Sequence, residues 1–119
     1  MTTIYCDSST REACYVLEGQ EPVVTPYLEP VTVNVGEYRA VLLALEEARR
    51  LELKQVMLLT DSLLVVNQVN GKWRCKKAHL LPYRDKVRDI LLRVSFIPNY
   101  TWSLDWIERG RNLAGKVLE

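Results

Sequence analysis

The stretch "VMLLTDSLLVVNQV", residues 56–69, decides the fold because it joins two elements of different periodicity through a single acid. The apolar run before the acid predicts a buried strand over residues 55–60. After the acid, apolar residues recur at helical spacing, which predicts a short helix that ends near Asn70 and Gly71. Asp61 therefore lies at a strand-to-helix junction, where an acid serves either as a helix cap or as a chemical group.

The composition is typical of one globular domain over residues 1–119. Of the 119 residues, 48% are hydrophobic and 26% are charged, which supplies a core and argues against disorder. No apolar run approaches the roughly 20 residues that span a bilayer, and the polar opening "MTTIYCDSST" is unlike a signal peptide. Three cysteines without close spacing indicate reduced thiols. We therefore expect a monomeric, cytoplasmic protein with no membrane partner.

The elements on either side of the junction predict a mixed sheet in an α/β domain. Three β-rich segments come first, and their short connections predict antiparallel neighbours. The later strand-helix-strand order favours parallel pairing with helices against the sheet. The predicted elements are strands in "TTIYCDSS", "EACYVLEG" and "VVTPYLEPVTV", a long helix over 36–51, the strand over 55–60, the short helix, a third helix over 80–94 with Pro82 in its first turn, a strand in "YTWSLDWI" and a last helix in "RNLAGKVLE".

Three acids stand at places where a structural role and a chemical role compete. Asp7 ends the first strand and is either exposed or bound to a partner, because an unpaired buried carboxylate is costly. Glu37 opens the long helix, and "NVGE" has the spacing of a capping box with Asn34 as the cap. If the first and fourth strands are adjacent, Asp7, Glu37 and Asp61 converge and repel one another unless a cation lies between them. Such a cluster predicts a Mg²⁺ or Mn²⁺ site.

A basic segment follows the short helix. Residues 72–93 carry eight Lys and Arg residues against two Asp residues, and Trp73 lies among them. This segment either follows a phosphate backbone or forms a solvated helix face, and Trp73 either stacks on a ligand or packs in the core. Trp102 and Trp106 share one face of the last strand, and we expect both in the core.

The chain resembles the type 1 ribonuclease H family, in its compact branch without the extra basic protrusion. The resemblance rests on "IYCDSS", "NVGEYRAVLLAL", "LLTDSLLVVNQVNGKW" and "WIERGRNLAG", which follow the family's order and spacing. It implies the ribonuclease H-like fold, a mixed five-stranded sheet with helices on both faces. It also implies an endonuclease that cuts the RNA strand of an RNA/DNA hybrid with two metal ions, Mg²⁺ or Mn²⁺, and leaves a 3′-hydroxyl.

The same resemblance implies roles for individual residues. Asp7 would bridge both metal ions, and Glu37 and Asp61 would each be a ligand of one ion, with Glu37 also near the RNA 2′-hydroxyl. The substrate-binding residues would be Asn34 and Gln68 in the minor groove, Ser9 at the backbone, Lys72 and Trp73 at the DNA strand, and Arg109 in the turn before the last helix. On the residues alone, Gln68 is equally consistent with an ordinary exposed helix position.

Two positions depart from the family pattern. The family has "NxxAD" near its end, and its acid is a fourth metal ligand, whereas this chain reads "NLAG" and places Gly115 there. Either water takes the place of the missing ligand or one of three residues replaces it: Glu119, Glu108 or Asn112. Ser8 also stands where the family usually has glycine.

Two functions of different class therefore remain open. The three retained acids favour an active or weakened ribonuclease H, because a scaffold has no need for mutually repelling carboxylates. The missing fourth acid favours a catalytically silent module that binds nucleic acid or protein. A different nuclease on the same fold is disfavoured by "NxxEYxA" and "TDSxLVxxQ".

Overall fold

The computed structural model describes residues 1–119 and confirms the predicted order of elements. Two short 3₁₀ turns, Ala78–Leu80 and Arg109–Arg111, precede the last two helices. The strands are β1 Thr2–Ser8, β2 Glu12–Leu17, β3 Val23–Pro26, β4 Gln55–Thr60 and β5 Thr101–Trp106; the helices are α1 Val33–Arg50, α2 Leu63–Val69, α3 Leu81–Ser95 and α4 Leu113–Leu118.

The five strands form one mixed sheet in the order β3-β2-β1-β4-β5. The first three strands pair antiparallel, and β1 pairs parallel with β4, which pairs parallel with β5. This arrangement confirms both the antiparallel prediction for the opening strands and the parallel prediction for the rest. Because β1 and β4 run in the same direction, their carboxyl ends lie at one edge of the sheet, where sites in such sheets collect.

Alternation along the strands divides the apolar residues between two faces. Ile4 and Cys6 of β1 belong to the main core, which they form with buried residues of α1, α2 and β4. On the opposite face, Ala114 of α4 packs with Cys14 and Val16 of β2. Helices therefore cover both faces of the sheet, as predicted.

The two predicted helix caps differ from the observed ones. Helix α1 begins at Val33 rather than at Gly36, and its cap is Thr32, whose side chain accepts the Val35 N–H at 3.3 Å. Asn34 lies inside the first turn, so the capping-box interpretation of Asn34 and Glu37 is wrong. In α2 the cap is Ser62, whose Oγ accepts the Val65 N–H at 3.2 Å. Ser62 rather than Asp61 therefore caps α2, so the interpretation of Asp61 as a helix cap is wrong as well.

The two tryptophans of β5 have different surroundings. Trp102 packs against the core, and its Nε1 donates to the Leu53 carbonyl at 2.8 Å. Trp106 is 50% exposed at the end of the strand, so the prediction of core packing is wrong for this residue. In α3, Pro82 lies in the first turn as predicted. None of the helices combines the length and the apolar character needed to cross a bilayer.

Candidate active site

Three carboxylates converge at the carboxyl edge of the sheet. Asp7 is contributed by β1, Asp61 directly follows β4, and Glu37 lies in the second turn of α1. One carboxylate oxygen from each of them lies within 4.8 Å of the others. The parallel pairing of β1 with β4 and the packing of α1 across β1 produce this convergence.

Glu37 is held in a fixed orientation by two strands. Its side chain is only 6% exposed. Its Oε1 accepts the Ser8 N–H at 3.2 Å, and its Oε2 accepts the Thr60 hydroxyl at 3.4 Å. Because Ser8 follows Asp7 and Thr60 precedes Asp61, the neighbours of the other two acids orient this one.

Asn112 connects the last helix to the same cluster. It is fully buried, and its Nδ2 donates to the Cys6 carbonyl at 3.0 Å and to Asp61 Oδ2 at 3.1 Å. Its Oδ1 accepts the Ala114 N–H at 3.2 Å and so caps α4. Since its side-chain oxygen is used by the helix and its nitrogen faces Asp61, Asn112 orients an acid rather than replacing one.

Gly115 faces the three acids without offering a ligand atom. A Cβ at this position would lie 3.0 Å from Asp7 Oδ2 and 3.7 Å from Asp61 Oδ2. The cluster itself consists of Asp7, Glu37 and Asp61. Glu108 and Glu119, the two acids that the sequence offers as replacement ligands, are exposed and are not members of the cluster.

Burial and mutual repulsion raise the pKa of two of the three acids. The pKa of Glu37 rises to about 9, first because burial disfavours its charge and then because Asp7 and Asp61 repel it. The pKa of Asp7 is also raised, mainly by burial and by the charge of Asp61. In the metal-free protein, Glu37 therefore keeps a proton at neutral pH and can share it with Asp7.

The donor set fits a hard divalent cation. All three groups are carboxylates, the oxygen ligands that Mg²⁺ and Mn²⁺ prefer. At ligand distances of about 2.1 Å, adjacent oxygens of an octahedral Mg²⁺ lie about 3.0 Å apart and opposite ones about 4.2 Å, so carboxylate oxygens within 4.8 Å of one another are near enough to close around a cation. The pKa values of Asp7 and Glu37 are raised first by burial and then by the neighbouring acids, and a cation between the carboxylates would lower both.

Three residues are predicted to contact the minor groove or the backbone of the substrate. Each is near one acid of the cluster in the sequence: Ser9 follows Asp7, Asn34 precedes Glu37 and Gln68 follows Asp61. Ser9 organises the turn after β1, because its Oγ accepts the N–H groups of Arg11 and Glu12, each at 3.1 Å. Asn34 is half-buried in the first turn of α1, one turn before Glu37. Gln68 is 4% exposed, and its Oε1 accepts the Tyr38 hydroxyl at 2.7 Å, so the interpretation as an ordinary exposed position is wrong.

The cationic and aromatic residues that are predicted to bind the substrate all lie on the surface. Trp73 is 48% exposed, which contradicts its interpretation as a core residue, and Lys72 beside it is exposed. The N–H groups of both residues donate to the Asn67 carbonyl, which fixes this turn after α2. Arg109 is exposed, and its positive charge offsets part of the rise in the pKa of Asp7, so it contributes to the field at the acids.

Four residues of the site have roles that the sequence did not predict. Thr60 belongs to a family motif, but a threonine at the end of a strand carries no signal that it will bond Glu37. The sequence suggested Asn112 only as a replacement metal ligand. It marked Ser8 only as a position where the family usually has glycine. Tyr27 follows an edge strand and gave no signal. Its hydroxyl lies 2.7 Å from Ser8 Oγ, and that contact depends on the folded path of the loop after β3.

A mixed five-stranded sheet, with acids at the ends of two parallel strands and a third acid on the first long helix, defines the ribonuclease H-like class of proteins. Residues 6–118 match the model of the family described as reverse transcriptase-like. The chain belongs to this family, and its solved structural neighbours are type 1 ribonucleases H, as the sequence motifs predicted.

Three known proteins illustrate the similarity. The bifunctional protein Rv2228c of Mycobacterium tuberculosis is 35% identical over 81 residues, which are 68% of this chain but only 21% of that protein. Its N-terminal RNase H domain superposes with a TM-score of 0.77 at 25% identity, covering 98% of this chain and 94% of the other. RNase H1 of Halobacterium salinarum gives a TM-score of 0.81 at 26% identity, over 98% and 92% of the two chains. LC11-RNase H1, solved with an RNA/DNA hybrid, shares the fold at 22% identity and a TM-score of 0.79, with 100% of both chains covered.

Proposed function

We propose that this chain is a metal-dependent endonuclease that hydrolyses the RNA strand of RNA/DNA hybrids. The observation that carries the proposal is the convergence of Asp7, Glu37 and Asp61 within 4.8 Å at the carboxyl edge of the sheet. Membership of the ribonuclease H family and the names of the structural neighbours at 25% and 26% identity support the choice of substrate. Phosphodiester hydrolysis needs concentrated negative charge to hold cations, and this cluster supplies it.

Mg²⁺ or Mn²⁺, two ions per site, would stabilise the charge on the attacking and leaving oxygens and lower the pKa of a bound water. Asp7 would hold both ions, and Glu37 and Asp61 would each complete the ligand set of one. The Ser8 N–H and the Thr60 hydroxyl keep Glu37 oriented, and Asn112 does the same for Asp61. To hold a metal ion, Glu37 would have to release the proton that its raised pKa retains.

The residues around the cluster would select the hybrid by its shape. Asn34 and Gln68 would contact the minor groove, and because Tyr38 holds the Gln68 oxygen, the amide nitrogen is the group left for the substrate. Ser9 and Arg109 would contact the backbone beside the acids, and Lys72 and Trp73 the DNA strand. Recognition through the 2′-hydroxyl and the groove gives cleavage without base preference.

Gly115 supports a second candidate function, a catalytically silent module that binds nucleic acid or protein. Because this position faces Asp7 and Asp61 without a ligand atom, one of the two cations would be held by Asp7, substrate phosphate and water. The enzyme is favoured because the three remaining carboxyl groups lie together, where burial and mutual repulsion raise the pKa of Asp7 and Glu37. A module that only binds would gain nothing from that repulsion.

We also infer that the protein acts as a monomer in a reducing, cytoplasmic setting. The three free cysteines support the reducing setting, since Cys6 and Cys14 are buried and none of the three is paired.

The deciding experiment follows a labelled RNA strand in an RNA/DNA hybrid with Mg²⁺ and, separately, with Mn²⁺. We expect cleavage by the natural chain, and its loss in Asp61→Asn, which keeps the shape of the side chain. Glu21→Gln is the matched control, because Glu21 is an exposed acid in the turn after β2, at the opposite end of the sheet. Hybrid binding without cleavage in either metal, with cleavage appearing in Gly115→Asp, would instead establish the silent module.

A further inference from the structure

A closed ring of hydrogen bonds connects Tyr27 to the residues beside two of the acids. The Tyr27 hydroxyl lies 2.7 Å from Ser8 Oγ and donates to the Gly36 carbonyl at 3.2 Å. Gly36 precedes Glu37 in α1, and the Ser8 N–H donates to Glu37 Oε1 at 3.2 Å. Ser8 directly follows Asp7, so the ring fixes the end of β1 against the start of α1.

We propose that Tyr27 is a positioning residue that sets the separation of the Asp7 and Glu37 carboxylates for the divalent cation, an inference that rests on the function proposed above. Asp7 and Glu37 belong to different elements, β1 and α1. The bond from the Ser8 N–H to the Glu37 carboxylate restrains one side of this junction. The Tyr27 hydroxyl restrains the other side, because it contacts both the Ser8 side chain and the backbone of α1.

The segment that carries Tyr27 is itself fixed to the turn between β1 and β2. The Tyr27 N–H donates to the Arg11 carbonyl at 2.9 Å, and the Val31 N–H donates to the Thr10 carbonyl at 2.8 Å. The Arg39 guanidinium lies over the Tyr27 ring, 4.6 Å from its centroid. The aromatic ring at position 27 would therefore keep its place in Tyr27→Phe, and that substitution removes the hydroxyl contacts alone.

A purely structural role for the hydroxyl makes a different prediction. If it only stabilises the loop after β3, Tyr27→Phe lowers the melting temperature and leaves the affinity for metal unchanged. If it positions the acids, the affinity for metal falls because Asp7 and Glu37 are no longer held at the same separation. Groups that orient metal ligands through hydrogen bonds typically change metal affinity by about tenfold or more.

The test measures Mn²⁺ affinity by titration calorimetry on the whole chain, with melting temperature as a second measurement. We expect Tyr27→Phe to bind Mn²⁺ about tenfold more weakly and, at saturating Mn²⁺, to retain the KM for the hybrid. Tyr100→Phe is the matched control, because Tyr100 precedes β5 at the opposite end of the sheet, and it should bind Mn²⁺ like the natural chain. Unchanged Mn²⁺ affinity in Tyr27→Phe overturns the proposal, whatever happens to the melting temperature.

A double-substitution cycle tests whether the Ser8 and Tyr27 hydroxyls act together in the ring of hydrogen bonds. Ser8→Ala removes the other hydroxyl but keeps the N–H that bonds Glu37, so it should weaken Mn²⁺ binding without adding to the effect of Tyr27→Phe. Additive effects would mean that the two hydroxyls act separately, against the proposal. If the natural chain binds Mn²⁺ but does not cleave the hybrid, the proposed function fails while this inference is still decided by Tyr27→Phe. A natural chain that binds no Mn²⁺ overturns both.

Discussion

The Ser8 side chain occupies the space that a side chain at Gly36 would need. A Cβ built on Gly36 would overlap Ser8 Oγ, and it would lie 3.1 Å from the Ser9 carbonyl oxygen. Ser8 stands where the related family usually has glycine, so glycine at position 36 and serine at position 8 are matched to each other. Ser8 Oγ lies 2.7 Å from the Tyr27 hydroxyl oxygen and 2.6 Å from the Ser9 carbonyl oxygen, so its hydrogen-bond partners are groups other than the acids.

Gly36→Ala should destabilise the protein by about 1–3 kcal/mol, because the new methyl group meets Ser8 in a tightly packed junction. Ser8→Gly combined with Gly36→Ala should recover a large part of that loss, with the Ser9 carbonyl as the remaining close contact. Urea unfolding of the two single variants and the double variant measures the coupling. A loss in the double variant equal to the sum of the two single losses would show that the two positions are independent.

Gly115→Asp should bind divalent cations more tightly, on the order of tenfold, because it adds a fourth carboxylate beside Asp7 and Asp61. Without metal the same change should lower the melting temperature, since it adds a negative charge to three acids and presses on Asp7 Oδ2. Calorimetric titration with Mn²⁺ and melting curves with and without metal test both effects. Gly115→Asn is the matched control of equal size and no charge; if it binds metal as tightly as Gly115→Asp, the added charge is not the cause.

The stability of the metal-free protein should fall as pH rises from about 4.5 to about 9. Over this range the folded state keeps the proton on Glu37, whose pKa is about 9, while the unfolded chain loses it at the ordinary glutamate pKa of 4.5. The folded state then binds more protons, so the free energy of unfolding decreases with pH, by at most about 1.4 kcal/mol per unit for this group. Urea unfolding in a chelator at several pH values measures the slope, which Glu37→Gln should largely remove.

The affinity for metal should rise with pH over the same range. A cation displaces the Glu37 proton, so below pH 9 each unit of pH should change the apparent affinity by up to about tenfold. Titration with Mn²⁺ at three pH values gives the dependence. A pH-independent affinity would show that Glu37 is already charged in the metal-free protein.

Asn112→Ala should destabilise the fold by about 2–4 kcal/mol, since it removes two buried hydrogen bonds and the cap of α4. It should also weaken metal binding, because Asp61 loses the donor that orients it. Asn67→Ala, at a half-buried position on α2, is the control for loss of an amide from a helix. Urea unfolding and calorimetry separate the two effects, and unchanged metal affinity would contradict the second.

Trp73→Ala should weaken hybrid binding by about 1–2 kcal/mol, because an exposed tryptophan at this position would pack against the sugar-phosphate backbone of the DNA strand. Phe96→Ala is the control, because Phe96 is an exposed aromatic residue at the end of α3. Fluorescence anisotropy of a labelled hybrid compares the two variants. Equal effects would indicate a general loss of apolar surface instead of a contact with the substrate.

Periodicity was sufficient to predict the order of strands and helices and the mixed sheet, because alternating and helical spacing reflect which faces are buried. The predicted parallel pairing also implied that Asp7, Glu37 and Asp61 converge, since parallel strands place their carboxyl ends at one edge of the sheet. The cap of α1 was missed because Asn34 has capping-box spacing with Glu37, whereas Thr32 caps the helix and Glu37 bonds Ser8 and Thr60 instead.

Exposure of individual large side chains could not be predicted from spacing. Trp106 shares a strand face with Leu104, but it lies at the end of an edge strand and is half exposed, while Leu104 is buried. Gln68 lies among apolar residues of α2 and is buried through its bond to Tyr38, a residue 30 positions earlier in the chain. Such long-range contacts leave no local pattern in the sequence.

The bond from Asn112 to the Cys6 carbonyl joins residues 106 positions apart. During synthesis, the first strand and both later acids leave the ribosome well before the asparagine that orients Asp61 is available. A nascent chain can thus build most of the sheet while its acid cluster is still incompletely aligned. Alignment of Asp61 would therefore follow the pairing of β1 with β4, because its donor comes from a segment 51 positions later in the chain.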